Sequence, residues 1–128
     1  MILFKQYHVP LILSGRKTQT RRLGKKRWTV GKVYQAKTSY MAKPFAYLKL
    51  TDLRYEPLEP MSEADAHAEG YNKLQSYLQA FKEIYKYPLD EANPLVWVLD
   101  FELASVPGHL YLATAKAKSV ANVIARSF

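Results

Sequence analysis

Alternation marks the middle of the chain. From Phe45 to Tyr55, an extended backbone puts Phe45, Tyr47, Lys49, Thr51, Leu53 and Tyr55 on one side. Ala46, Leu48, Leu50, Asp52 and Arg54 fall on the other, which predicts a strand. Leu95 to Leu103 is nearly continuously apolar and rich in β-branched and aromatic residues, as a central strand requires. Between these runs the period changes. Leu74, Tyr77, Leu78, Phe81, Ile84 and Tyr85 recur at helical spacing, and Pro88 ends that helix. Asn72, with Gln75 three residues on, is read as its start. Ser62-Glu63-Ala64-Asp65 matches a capping box for a shorter helix that Gly70 stops.

The first third of the chain is less regular. Ile2–Phe4 reads as a strand, and Pro10 suits the first turn of a short helix. Ser14-Gly15 ends that helix, with Gly15 as a left-handed cap. Thr18 and Thr20 favour an extended backbone from Lys17 to Leu23, and Gly24–Arg27 forms a basic turn. Trp28 to Tyr34 reads as strand, tight turn at Gly31, then strand. The order of elements predicts an α+β domain over residues 1–104: a small, mostly antiparallel sheet or barrel with flanking helices. Residues 105–128 are read as a basic tail or docked helix, with Val120, Val123 and Ile124 at helical spacing.

Composition narrows the function classes. A chain of 128 residues buries a sizeable core as one domain, and 48% hydrophobic with 23% charged residues is globular composition. The absence of cysteine excludes disulfides, thiolate zinc sites and cysteine nucleophiles. The longest apolar runs, such as Leu95–Leu99, hold about five residues against the ~20 of a membrane-spanning helix, so no membrane partner is expected. Residues 1–51 carry twelve Lys or Arg and no acid, whereas residues 52–104 carry all eleven acids and four basic residues. A net charge of +8 distributed this way predicts an anionic partner, nucleic acid above all. Ser14 and Ser39 are the serines of residues 1–51, too few for a transit peptide, and Val9–Leu13 is too short for a secretory signal. A cytoplasmic chain with all 128 residues mature is expected.

Candidate chemistry gathers at Gly15-Arg16-Lys17-Thr18-Gln19-Thr20-Arg21-Arg22. Seven of the residues 16–27 are Lys or Arg, a cluster that repels itself unless an anion or carboxylate is near. An extended segment turns Lys17, Gln19 and Arg21 one way and Thr18, Thr20 and Arg22 the other; a bulge after the cap would bring Lys17 and Thr20 to one cavity. On the residues alone, a solvated face is the plainer reading. His8, His67 and His109 form no HxxxH pair, so no metal is expected. His67-Ala68-Glu69 matches the His-x-Glu of zinc deaminases but lacks their CxxC, and His67 is read as a helix-surface residue near a cleft. Tyr7, Tyr34, Tyr40, Tyr47, Trp28 and Phe45 interleave with the cations; Trp28 and Tyr40 are expected to be exposed for base stacking. No glycine-rich nucleotide loop is present.

The octapeptide resembles the signature segment of the ASCH domain, a branch of the PUA-like superfamily. Trp28–Tyr34, Phe45–Thr51, Ala66–Tyr71 and Val96–Phe101 resemble further family segments in consistent order. The resemblance implies a small PUA-like β-barrel with helices flanking a basic cleft, no cofactor, and RNA or a modified nucleoside as partner. One ASCH branch removes the acetyl group of N(4)-acetylcytidine. By motif its catalytic Lys, Thr and Glu carry over to Lys17, Thr20 and Glu69. Gly15, Arg16, Arg21, Arg22, Trp28 and Tyr40 are the expected ligand-binding residues. Arg21 departs from that branch, which has an apolar residue there, and points to a sister branch with another ligand. Three functions follow: a binding module for RNA or a modified nucleoside, an amidohydrolase at the same cleft, and a ribonuclease. Glu69 discriminates, since a side chain that reaches Lys17 across one cleft favours the enzyme.

Overall fold

The computed structural model describes residues 1–108. His109 and the helical spacing from Lys116 to Arg126 lie outside them. Strands β1 (Ile2–Leu3), β2 (Gln19–Arg22), β3 (Val33–Lys37), β4 (Ala46–Pro57) and β5 (Leu95–Ser105) form one sheet in the order β1-β3-β4-β5-β2. The sheet is mixed, with β1 parallel to β3 and the other pairs antiparallel, and it curls into a half-barrel. Helices α1 (Val9–Leu13), α2 (Glu63–Ala68) and α3 (Leu74–Tyr85) flank it. This is the small α+β architecture, a curled sheet with flanking helices, expected from the sequence.

β5 explains its own composition. Val96 and Val98 face a core formed with Ala66 of α2 and Tyr77 and Phe81 of α3. Leu99 and Phe101 face a second core inside the curled sheet, with Phe4, Ile12, Phe45, Leu48 and Leu50. A strand covered on both faces has no solvent side on which polar residues would alternate.

Local departures have physical causes. In β4 the inward alternation of Ala46, Leu48 and Leu50 breaks at a register shift between Leu50 and Asp52. The extra residue resets the phase, so Leu53 rather than Asp52 packs on the inner core. Trp28–Val30 is loop and turn instead of the expected strand. Its polar groups are used in the turn instead: the Thr29 amide donates to Tyr34 Oη at 2.8 Å, and Thr29 O accepts from the Lys32 amide at 3.2 Å. Asn72 does not cap α3. The helix starts at Leu74, whose amide is satisfied at 3.0 Å by the Glu63 carboxylate of α2. Ser62 does cap α2, accepting from the Asp65 amide at 3.0 Å. α3 ends at a left-handed Lys86, before Pro88.

Candidate functional site

Lys17 sits where the two cores meet. Gly15 leaves α1 at φ +80, and the following amides of Arg16 and Lys17 both donate to Leu11 O. The Thr18 amide then donates to Ala68 O at 2.9 Å, which ties this segment to the end of α2. Gly70 completes the fit. Its φ of +101 disfavours side chains, and a Cβ there would lie 3.2 Å from Leu11 Cδ1 and 3.6 Å from Lys17 Cβ. The Lys17 stem therefore lies against bare backbone, and the residue is only 2% exposed.

Its ammonium makes three contacts. Lys17 Nζ donates to Gln19 O at 3.0 Å, to Glu69 O at 2.5 Å and to Glu69 Oε1 at 3.2 Å. Burial pushes the Lys17 pKa below its ordinary value; Glu69 opposes this, while Arg22 and Arg21 add to it. Glu69, also 2% exposed, is held at its other oxygen as well: Oε2 accepts from Arg21 Nη1 at 3.0 Å. Arg21 is steadied in turn by Gln19 Oε1 at 2.6 Å and by Asp65 at 3.7 Å. One carboxylate thus lies between two cations, out of water.

A cavity of about 270 Å³ opens beside this triad. Lys17, Thr20, Arg21, Arg22 and Glu69 all line it. No bulge is needed to gather them, since β2 pairs with β5 in unbroken register from Gln19↔Asp100 to Arg22↔Trp97. Aromatic side chains of Phe4, Tyr71, Tyr77 and Phe81 form much of the remaining wall. Arg22 lies over the Phe4 ring at 5.2 Å and donates through Nη2 to Leu3 O at 2.7 Å. Its Nε is buried with no partner.

Other expected residues lie elsewhere. Arg16 does not line the cavity; its guanidinium clamps the turn after α2 through His67 O, Tyr71 O and Asn72 Oδ1. The backbone amides around Gly15 are committed to the carbonyls of Ile12 and Leu11 and are not free to bind an oxyanion. His67 is at the surface. Trp28, expected to be exposed, is only 8% so, because its ring fills the inner core; Tyr40 is 69% exposed. Both line a second cavity of about 470 Å³, together with Arg22 and Arg27.

The structure adds His8. It lines the first cavity from the turn before α1, packed edge-on between Tyr7 and Tyr71 at 4.4 and 5.6 Å. Burial, aided by Lys17 and Arg22, pushes its pKa down to about 3, so the imidazole is neutral, and its buried Nε2 has no partner. A lone histidine in an irregular segment gives no sequence signal. Tyr71 and Tyr77 were equally hidden, since a cavity wall and a core face have the same helical period. Among the described residues, no group of three or more His, Asp or Glu is placed to hold a metal ion, and no helix is long and apolar enough to cross a membrane.

Comparison with solved structures places the fold. The fold is that of an ASCH domain. The chain matches the ASCH domain from Lactobacillus crispatus JV V101 with a TM-score of 0.65 at 20% identity, over 81% of this chain and 77% of that one. It also matches a DUF984-family protein from Enterococcus faecalis V583 with a TM-score of 0.66 at 21% identity, over 78% of this chain and 68% of that one. No family model matches the sequence, and no curated protein does.

Proposed function

We propose that the cavity beside Lys17 binds a modified nucleoside and that the protein hydrolyses an exocyclic amide on its base, with N(4)-acetylcytidine as the substrate to try first. The observation that carries this reading is the Lys17–Glu69 pair, 3.2 Å apart, buried, and lining one cavity with Thr20. A buried ion pair is a poor stabiliser compared with apolar packing, so its presence in a cavity wall supports a chemical role. The cavity's 270 Å³ lies near the lower end for ligand sites, a scale that suits one nucleoside, and its aromatic walls suit a flat base.

The chemistry balances without a cofactor. A proton passes from Lys17 Nζ to Glu69 Oε1, a transfer that a dry site favours because it discharges both groups. Neutral Lys17 takes the Thr20 hydroxyl proton as Oγ1 attacks the acyl carbon. Glu69 gives its proton to the leaving exocyclic nitrogen, and the amine departs, leaving an ester on Thr20. Water then attacks the ester and gives a proton to Glu69, and Lys17 returns its proton to Thr20. The proton on Glu69 goes back to Lys17 and restores the pair. Arg22 supplies the oxyanion donor that the committed backbone amides do not. Arg21 fixes Glu69 Oε2 and leaves Oε1 to exchange with Lys17.

The test is incubation with N(4)-acetylcytidine and chromatographic detection of cytidine. Cytidine from the parent protein, with loss in Lys17→Met and Thr20→Ala and retention in Thr20→Ser, is the expected result. Absence of cytidine, or undiminished release in Thr20→Ala, overturns the hydrolytic reading. RNA or nucleoside binding without hydrolysis is the second reading; unpaired arginines beside the cavity favour it.

A further inference from the structure

His8 is a buried titratable group that the hydrolytic steps leave without a task. It is 7% exposed and lies in the wall of the first cavity with Lys17, Thr20 and Arg22. Two sets of contacts fix it. The turn Gln6–His8 closes with the His8 amide donating to Lys5 O at 3.0 Å. The ring is wedged edge-on between Tyr7 and Tyr71, whose hydroxyls are joined at 3.0 Å. Among the described residues its Nε2 nevertheless has no partner, and neither has Arg22 Nε. Buried polar atoms are nearly always hydrogen-bonded, because leaving one unpaired and shut off from water is costly. Two such nitrogens on residues of one cavity wall suggest a ligand atom that both would meet.

We propose that His8 Nε2 and Arg22 Nε together hold the acyl oxygen of the substrate, with His8 as the second donor of the oxyanion site. This rests on the reading of the first cavity as the site of amide hydrolysis. An acyl oxygen offers only lone pairs, so both nitrogens meet it as donors and the His8 proton sits on Nε2. Nε2 keeps that proton throughout. As Thr20 Oγ1 attacks, the charge that develops on the acyl oxygen is stabilised by the two hydrogen bonds, and no proton moves to it. A neutral imidazole suits this work. Burial, with Lys17 and Arg22 near, keeps the ring uncharged, and for the same reason makes His8 a poor general base, which would have to accept a charge there. A role as metal ligand lacks companions, since among the described residues no group of three or more His, Asp or Glu is placed to hold an ion. A histidine that served packing alone would have its Nε2 satisfied by the fold.

The test is steady-state hydrolysis of N(4)-acetylcytidine by the parent chain, His8→Phe and His8→Gln. Phenylalanine keeps the aromatic packing and removes the donor. Glutamine keeps an N–H near the Nε2 position and loses the aromatic edge. His8→Phe is expected to lower kcat about 100-fold, and His8→Gln to recover much of it. A role in packing alone predicts the reverse order. The two variants thus carry opposite expectations, and either one decides if circular dichroism shows that the other fails to fold. A second measurement needs no turnover. In the Thr20→Ala background, adding His8→Phe is expected to weaken N(4)-acetylcytidine about 2- to 10-fold. Cytidine, which has no acyl oxygen, should bind as before. Hydrolysis with kcat unmoved in His8→Phe overturns this inference and spares the hydrolytic reading. No hydrolysis, with an affinity loss confined to the acetylated ligand, sinks the hydrolytic reading and supports the His8 contact. Equal effects on both ligands, or binding of neither, overturn the contact itself.

Discussion

Glu69 has two buried cations on one carboxylate, and that inequality fixes what its neighbours' loss would do. Glu69→Gln leaves Lys17 and Arg21 buried without their shared counter-charge, for a loss of about 3–5 kcal/mol in urea unfolding. Lys17→Met leaves Glu69 still paired with Arg21 and is expected to cost less stability while abolishing turnover. Equal stability losses in the two variants would show that the triad is not organised around Glu69. Because the proton that Lys17 passes to Glu69 is the one given to the leaving nitrogen, kcat/KM should fall as pH rises through the Lys17 pKa, which burial holds below the ordinary lysine value of 10.5. His8 sets the opposite limb, in stability. Its folded pKa of about 3 lies below the ordinary 6.5, so between those values the unfolded chain binds a proton that the folded chain does not. Stability therefore falls as pH drops from 6.5 towards 3, by up to about 1.4 kcal/mol per pH unit from this group. His8→Phe should flatten that slope in urea midpoints taken from pH 4 to 7; an unchanged slope would mean that His8 is not buried neutral. None of this was legible from His8 itself, whereas Lys17, Thr20 and Glu69 were reached through the motif resemblance and not through their charge pattern.

Elements bring these residues together by contacts that sequence patterns do not encode. The periods of Phe45–Tyr55, Leu74–Tyr85 and Leu95–Leu103 identified the long strands and the long helix, because each buries a face whose spacing shows in the chain. The order β1-β3-β4-β5-β2 was not readable, since it depends on which edges remain free after the first pairs form. The caps show the same limit. Ser62 acts locally and was legible, but α3 borrows its cap from Glu63, eleven residues before the amide it serves. Gly70 is the position where an element's ending decides the site. It turns the chain after α2 at φ +101 and leaves room for the Lys17 stem, so Gly70→Ala combines an unfavourable backbone with crowding against Leu11 and Lys17. A loss of about 1–3 kcal/mol is expected, with a further fall in kcat because the Lys17 side chain must shift. Wild-type kcat in a variant that unfolds at lower urea would show that Gly70 serves the fold alone.

Across the whole molecule, the uneven charge separates two kinds of binding that one site would otherwise confuse. The acids of residues 52–104 are partly consumed by their own half: Arg54 takes Asp52, Glu56 and Asp100, and Lys82 takes Asp90. The acid-free N-terminal portion contributes α1, β1, β2 and β3, and there Lys17 and Arg21 share Glu69, while among the described residues Arg22 and Arg27 have no carboxylate partner. A neutral nucleoside entering the first cavity displaces no counterions, so its affinity should barely change between 50 and 200 mM salt, roughly one Debye-length regime to the next. A single-stranded RNA reaching both free arginines should lose affinity with a log–log slope of about −1.4, at −0.7 for each phosphate neutralised. Fluorescence titration of each ligand over that salt range tests this directly. A steep slope for the nucleoside would mean that the buried cations, not the free ones, meet the ligand, and that Glu69 is displaced on binding. A flat slope for the RNA would mean that neither Arg22 nor Arg27 meets a phosphate. The expected pair of results, flat for nucleoside and steep for RNA, follows from one arrangement: buried cations that share a carboxylate inside, and arginines without a carboxylate set one cavity further out.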